Sequence, residues 1–310
     1  MIPFLLINNL KSMLTYILFG IGFVLLIKGA DFLVDGASSI AKKNNIPELV
    51  IGLTIISFGT SLPELIVNLL ASNEGKADIA IGNIFGSNIA NILLILGATA
   101  LFTRIPIKKS IYFTEIPISL IATLLVGFLA NANLFEESKQ MGLSREDGAI
   151  LLTFFFLFMS YIYVISKYKN TDEDKVDEED GIVASNDEDE NIEIMENWKA
   201  YLCIVGGGVG LFFGGKWVVE GAIEIAKFFE MSEKFIGLTV IAIGTSLPEL
   251  VTSVVAARKG KADLAVGNVI GSNIFNLLWI LGISAVIKPL NFDLVNNLSL
   301  IHISEPTRLG

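Results

Sequence analysis

The chain has 310 residues, of which 53% are hydrophobic and only 17% charged, and its mean hydropathy is +0.65. That apolar excess excludes an ordinary soluble domain, and a single histidine with a single cysteine excludes both an internal disulfide and a Cys/His zinc centre. The net charge of −10 offers nothing to a nucleic acid, and it is concentrated: residues 171–197 hold about 13 acids against one lysine, which leaves the remainder near +2.

Taken in chain order, apolar stretches able to cross about 30 Å of hydrocarbon are predicted at 13–28, 49–72, 79–102, 111–130, 149–165, 198–219, 235–257 and 264–287. The first is too long for a signal peptide, and 29–40 contains no small-residue cleavage site, so it reads as a span. The fold class expected is all-α: a polytopic membrane protein with eight visible helices. Residues 1–168 form a first membrane half and 169–197 an acidic linker too poor in large apolar residues to fold alone. Residues 198–290 form a second half, expected to be truncated. The tail at 300–310, with His302, resembles translated adapter sequence and is excluded from fold reasoning. Lys28, Asp31 and Asp35, and later Lys216 with Glu220, are expected to be interfacial or mutually paired. Cys203 is expected to serve as a small buried hydrophobe. The glycines at 206–208, 210, 214 and 215 are read as close-packing positions.

The chain also repeats itself. Gly59-Thr60-Ser61-Leu62-Pro63-Glu64-Leu65 recurs as Gly244-Thr245-Ser246-Leu247-Pro248-Glu249-Leu250, and Gly86-Ser87-Asn88-Ile89 recurs in register as Gly271-Ser272-Asn273-Ile274. Roughly 30 of 57 positions agree from Ile46 and Met231 onward. Five spans precede the linker, so the second copy enters from the opposite side, an inverted repeat of the kind that places a transport site at the midplane. A carboxylate at that depth costs about 2.5–3.5 kcal/mol, which marks it as a functional residue. Pro63 and Pro248 lack an N–H and clash with the carbonyl four residues back, so both helices must break near Gly59–Thr60 and Gly244–Thr245. The carbonyls freed there need a partner, and a cation can be one. Ser87 with Asn91, and Ser272 with Asn276, are predicted to share a helix face by their four-residue spacing. Carboxylate, carbonyl, hydroxyl and amide oxygens together select hard cations such as Ca²⁺ and Na⁺ over zinc or copper.

These motifs resemble the two α-repeats of the cation/calcium exchanger superfamily, in particular its prokaryotic-type sodium/calcium exchanger branch. The resemblance reaches from the N-terminal region to about Lys288 and implies an alternating-access antiporter rather than an enzyme, with Ca²⁺ and Na⁺ as transported ions and no cofactor. It implies Ca²⁺ ligation by Glu64 and Glu249 with the carbonyls of Thr60 and Thr245. Sodium would use Ser61, Ser87, Ser246, Ser272 and the backbone of Ser57 and Ala242, with Asn91 and Asn276 at the central position. Some members carry Asp where this chain has Asn276, so one titratable group is absent here. The family fold has ten helices, and the chain is expected to continue through two more. The partners implied are the two ions and the lipid bilayer, with no nucleic acid and no obligatory protein partner. The bias of lysine and arginine in short loops places the N-terminus outside a plasma membrane and the acidic linker in the cytoplasm. A proton/calcium exchanger using the same two glutamates is the alternative; the hydroxyl-rich surroundings of the acids favour sodium.

Overall fold

The structure, a computed structural model, describes residues 2–102, 104–105, 111–131, 141–168, 194–231 and 242–291. Most of the acidic linker, the start of the seventh expected span and the 300–310 tail lie outside the described residues.

Helices dominate. Spans cross at Met13–Lys43, Ile79–Phe102, Ile111–Ala130, Arg145–Lys167, Asn197–Phe228 and Ala262–Ile287. A broken pair, Glu48–Thr60 with Leu62–Glu74, is bent by 48°. The chain is thus a multi-pass membrane protein, with five of these spans ahead of the acidic segment. The outer faces agree: Leu93, Leu101, Phe113, Leu124 and Leu202 are each well over half exposed, while Glu64, Asn68, Glu249 and Asn268 are fully buried. Apolar outside and polar inside is the arrangement that a lipid solvent selects. Across an 18-residue apolar stretch, 72% of Ala262–Ile287 is buried against 22% of Ile111–Ala130, so the former is the more interior helix.

The first and sixth spans run longer than expected. Helix α1 is Ile2–Lys43, and the sixth span lies in a helix covering Asn197–Phe228. The charges at the predicted end of the first span sit inside α1, where they are paired. Lys259 Nζ lies 2.7 Å from Asp35 and 3.2 Å from Asp31, and Lys28 approaches Asp31 at 3.5 Å. Lys216 and Glu220 are 3.9 Å apart. An ion pair lowers the cost of a charge in a helix near the membrane, so the helix need not stop there. An antiparallel pairing of Gly142–Leu143 with Leu290–Asn291 interrupts the all-helical pattern.

The chain divides into two compact units. The first comprises residues 1–62, 90–106 and 158–272, and the second 63–89, 107–157 and 273–310. In the first, α1 packs antiparallel on the Asn197–Phe228 helix through glycine: Gly22 meets the Gly214 carbonyl, Gly29 that of Gly207 and Gly36 that of Ala200, and a Cβ on any of the three would sit 2.7–2.9 Å away. This bears out the close-packing reading for Gly207 and Gly214; Gly206 and Gly208 face open space. Cys203 is partly exposed, its Sγ 4.0 Å from Met195 Sδ. In the second unit Phe155 stacks against Phe275 and Trp279, with ring centroids 5.0 and 4.9 Å apart. There Gly148 lies against the carbonyl of Gly282, which a Cβ would approach to 2.7 Å.

Candidate functional site

Both repeated prolines do what their chemistry requires. The first broken span begins with α2 (Glu48–Ile51), widens into a π-helical stretch at Gly52–Ile56 and continues as α3 (Ser57–Thr60). Ser61 then leaves helical geometry at φ −84°, ψ 8°, and α4 (Leu62–Glu74) starts with Pro63 at its second residue. In the second copy Ser246 has φ −88°, ψ 6°, between helices Ala242–Thr245 and Leu247–Arg258. Glu64 and Glu249 therefore stand in the first turn of a new helix. The free N–H groups and the positive end of the dipole there stabilise a carboxylate without any counter-charged side chain.

In the first unit Glu249 is the centre. Its Oε1 accepts from Ser61 Oγ at 2.9 Å, and its Oε2 is buried without a hydrogen-bond partner among the described residues. No lysine or arginine among the described residues pairs with it. Around it, Thr60 Oγ1 donates to Asn268 Oδ1 at 3.1 Å and lies 3.5 Å from Ser272 Oγ. Asn268 Nδ2 donates to Ser253 Oγ at 3.0 Å and reaches the Glu249 carbonyl at 3.4 Å. The Ser57 hydroxyl is within reach of the carbonyls of Gly52 at 2.6 Å and Asn268 at 3.1 Å. Thr245, Ser246 and Asn91 are also buried in this unit.

Glycine makes this crossing possible. Gly52 and Gly267 face each other's helices, and a Cβ on either would meet backbone atoms at 2.6 Å. One turn further, a Cβ on Gly271 would sit 2.8 Å from the Leu53 backbone and collide with Ser57 Oγ. These glycines directly precede Asn268 and Ser272, so the close approach delivers both polar side chains to Ser57 and Thr60. An ion pair between Lys261 and Glu48 at 3.0 Å fixes the same crossing at its end.

In the second unit Glu64 is the centre. Ser87 Oγ donates to its Oε1 at 3.3 Å. Asn83 Nδ2 reaches the Glu64 carbonyl at 3.5 Å and donates to Asn68 Oδ1 at 2.9 Å, the repeat of what Asn268 does in the other unit. Asn276 gives its amide nitrogen to Asn88 Oδ1 at 2.9 Å, which leaves its buried Oδ1 without a partner among the described residues.

The predicted pairs, Ser87 with Asn91 and Ser272 with Asn276, each run into a π-helical stretch. Helix Ala77–Ala90 ends before Asn91, which opens a π-helical stretch at Asn91–Ile95, and Asn276 falls in another at Phe275–Ile280. All four side chains are buried, and π turns concentrate at functional sites. Ala242, named for its backbone, opens the Ala242–Thr245 helix. Sequence reasoning missed Asn83, Asn268, Asn68, Ser253 and Asn88. The signal was present for three of them, since Asn83 recurs as Asn268 and Asn88 as Asn273 within apolar runs.

No group of three or more His, Cys, Asp or Glu side chains clusters among the described residues. Each unit instead offers one carboxylate surrounded by hydroxyl, amide and carbonyl oxygen, a donor set for hard cations.

The profile of the sodium/calcium exchanger protein family matches residues 14–164 and 199–304. The chain belongs to this family. It is 42% identical over 269 residues to the putative antiporter CaxA of Alkalimonas amylolytica, a match covering 87% of this chain and 79% of that protein. It is 35% identical over 296 residues to the sodium/calcium exchanger MaX1 of Methanosarcina acetivorans, covering 87% of this chain and 82% of the relative. Its fold superimposes on a structure of the sodium–calcium exchanger NCX_Mj soaked with Na⁺ and Sr²⁺ with a TM-score of 0.73, at 31% identity over 94% of this chain and 88% of that one. The family membership agrees with the resemblance of the repeated motifs and with a transporter rather than an enzyme.

Proposed function

We propose that this family member is an alternating-access antiporter that exchanges Ca²⁺ for Na⁺ across the plasma membrane. Glu64 and Glu249 are the calcium carboxylates, joined by the carbonyls of Thr60 and Thr245. Ser61, Ser87, Ser246 and Ser272 and the backbone of Ser57 and Ala242 serve sodium, and Asn91 and Asn276 serve the central position. The N-terminus lies outside and the acidic linker in the cytoplasm.

The observation that carries this reading is the Glu249 carboxylate. It is buried, one oxygen is held by Ser61, and the other has no hydrogen-bond partner among the described residues. A buried carboxylate without a basic partner calls for a cation or a proton. The Ser61, Thr60 and Ser272 hydroxyls beside it supply neutral oxygens that a sodium ion can use and a proton does not need. Asn276 supports the same choice, since its amide nitrogen is committed to Asn88 and its oxygen is the atom left to ligate.

The test is calcium uptake into proteoliposomes loaded with sodium, compared with vesicles that hold only a proton gradient. Uptake that follows the sodium gradient supports the reading. Uptake on a proton gradient alone, without sodium, replaces it with a proton/calcium exchanger.

A further inference from the structure

The buried face of α4 has the composition of a surface. Its buried residues are Glu64, Asn68, Ala71 and Ser72, while its large apolar side chains Ile66 and Leu70 are 40% and 60% exposed. Glu64, Asn68 and Ser72 recur every fourth residue, so they form one file along the helix, a turn apart. Two of them are left wanting: Asn68 Nδ2 and Ser72 Oγ are buried with no hydrogen-bond partner among the described residues. In a membrane-embedded helix, polar side chains turned inward line a protein-filled or a water-filled interior. Buried polar atoms without a partner among the described residues fit the second.

The file also opens at one end. Beyond Ser72 come Asn73 and the exposed ion pair of Glu74 with Lys76, 2.7 Å apart. The repeat copy lacks this extension. There Glu249 is followed one turn on by Ser253, whose hydroxyl is taken by Asn268, and the next position is Ala257. The buried residues at the far end of that helix are Ala256 and Ala257. Thr252 and Ser253 keep the first turn after Glu249 polar, and Thr252 Oγ1 too is buried without a partner among the described residues, so the two copies diverge two turns after the glutamate, at Ser72 in one and Ala257 in the other.

We infer that Glu64, Asn68 and Ser72 line a hydrated route by which cations travel between the Glu64 carboxylate and the aqueous end of α4 at residues 73–76. Ser72 offers its hydroxyl oxygen in place of part of an ion's water shell, and the Asn68 amide nitrogen donates to the water that stays, while Asn83 holds Asn68 by its Oδ1. The equivalent face of Leu247–Arg258 carries no such route past Ser253. This rests on the exchanger reading for the identity of the ions, but the route itself does not depend on which ion is coupled.

The experiment uses the full chain in proteoliposomes with Cys203, the sole native cysteine, replaced by serine. Ser72→Cys, Asn68→Cys and Ala257→Cys are each exposed to a membrane-impermeant cationic thiol reagent on both sides under exchange conditions, and modification is read by mass. Ser72 is 1% and Ala257 3% exposed, so static burial does not separate them. The route predicts modification of Ser72→Cys and Asn68→Cys about tenfold or more faster than Ala257→Cys, because thiol modification follows access. It also predicts loss of calcium flux once Ser72→Cys is modified. If Asn68→Cys does not fold, Ala71→Cys on the same buried face takes its place. Ser72→Cys reacting no faster than Ala257→Cys, or an unreactive deeper position, overturns the route. Because labelling is read by mass, it is decided even where sodium fails to drive uptake, and so separately from the exchanger reading.

Discussion

Replacing Glu249 by Gln removes a charge while keeping a shape. Ser61 Oγ is 2.9 Å from Oε1, and a glutamine carbonyl placed there still accepts that bond. The amide nitrogen takes the position of Oε2, which has no partner among the described residues. The bond from Ser61 weakens from charge-assisted to neutral, a loss of about 1 kcal/mol. Relief from burying an unpaired carboxylate offsets it. The variant is therefore expected to reach the membrane folded, with little change in melting temperature when no calcium is present. Calcium binding behaves differently. Removing one partner from a buried opposite-charge interaction costs about 3–5 kcal/mol, or roughly two to three and a half decades of affinity. Sodium-driven uptake of radioactive calcium at micromolar concentration is expected to fall to background, while calcium-dependent thermal stabilisation disappears. Uptake comparable to that of the unmodified chain, in a variant reconstituted at the same density, would refute the assignment of Glu249 as a calcium ligand.

Other expectations rest on individual contacts. Ser61→Ala removes a hydrogen bond to a charged group, worth about 1.5–3 kcal/mol, so calcium flux should drop less than in Glu249→Gln but measurably in the same assay. Asn268→Leu leaves the Thr60 and Ser253 hydroxyls and the Glu249 carbonyl without their amide, and a loss of about 2–3 kcal/mol should appear as a lowered melting temperature in detergent. Gly271→Ala drives a methyl group into Ser57 Oγ and the Leu53 backbone; overpacking of about 1–3 kcal/mol should lower both stability and transport. Replacing residues 171–193 by a glycine/serine spacer should leave vesicle uptake largely intact, because that segment is too acidic and apolar-poor to pack.

How much of this was legible in the sequence varied by residue. Glu64 and Glu249 stood out because an acid in an apolar run is costly and occurs twice, and the breaks at Ser61 and Ser246 follow from proline chemistry that needs no tertiary knowledge. The roles of Asn83 and Asn268 did not stand out. Asn268 matters through Thr60, 208 positions away in sequence, and a single polar residue in an apolar helix gives no hint of which carbonyl it will meet. The true length of α1 was hidden for the same reason. Asp31 and Asp35 read as a span's end until Lys259, 224 residues from Asp35, is seen beside them. The π turns at Asn91 and Asn276 were illegible, since side-chain periodicity encodes the α turn and a one-residue widening leaves no compositional mark.

The glycine seam between α1 and the Asn197–Phe228 helix has a consequence for biosynthesis. Met13–Lys43 is apolar enough to enter the bilayer alone, but the seam along its glycine face cannot close until the complementary face at Ala200, Gly207 and Gly214 has been made. At 5–20 residues per second the ribosome takes about ten to forty seconds to travel from Lys43 to Phe228. During that interval the first helix is an inserted but unmatched part, held by hydropathy and not by packing. A nascent chain that stalls in the acidic segment therefore leaves in the membrane a set of helices whose most closely fitting partner was never translated, a natural target for membrane proteases.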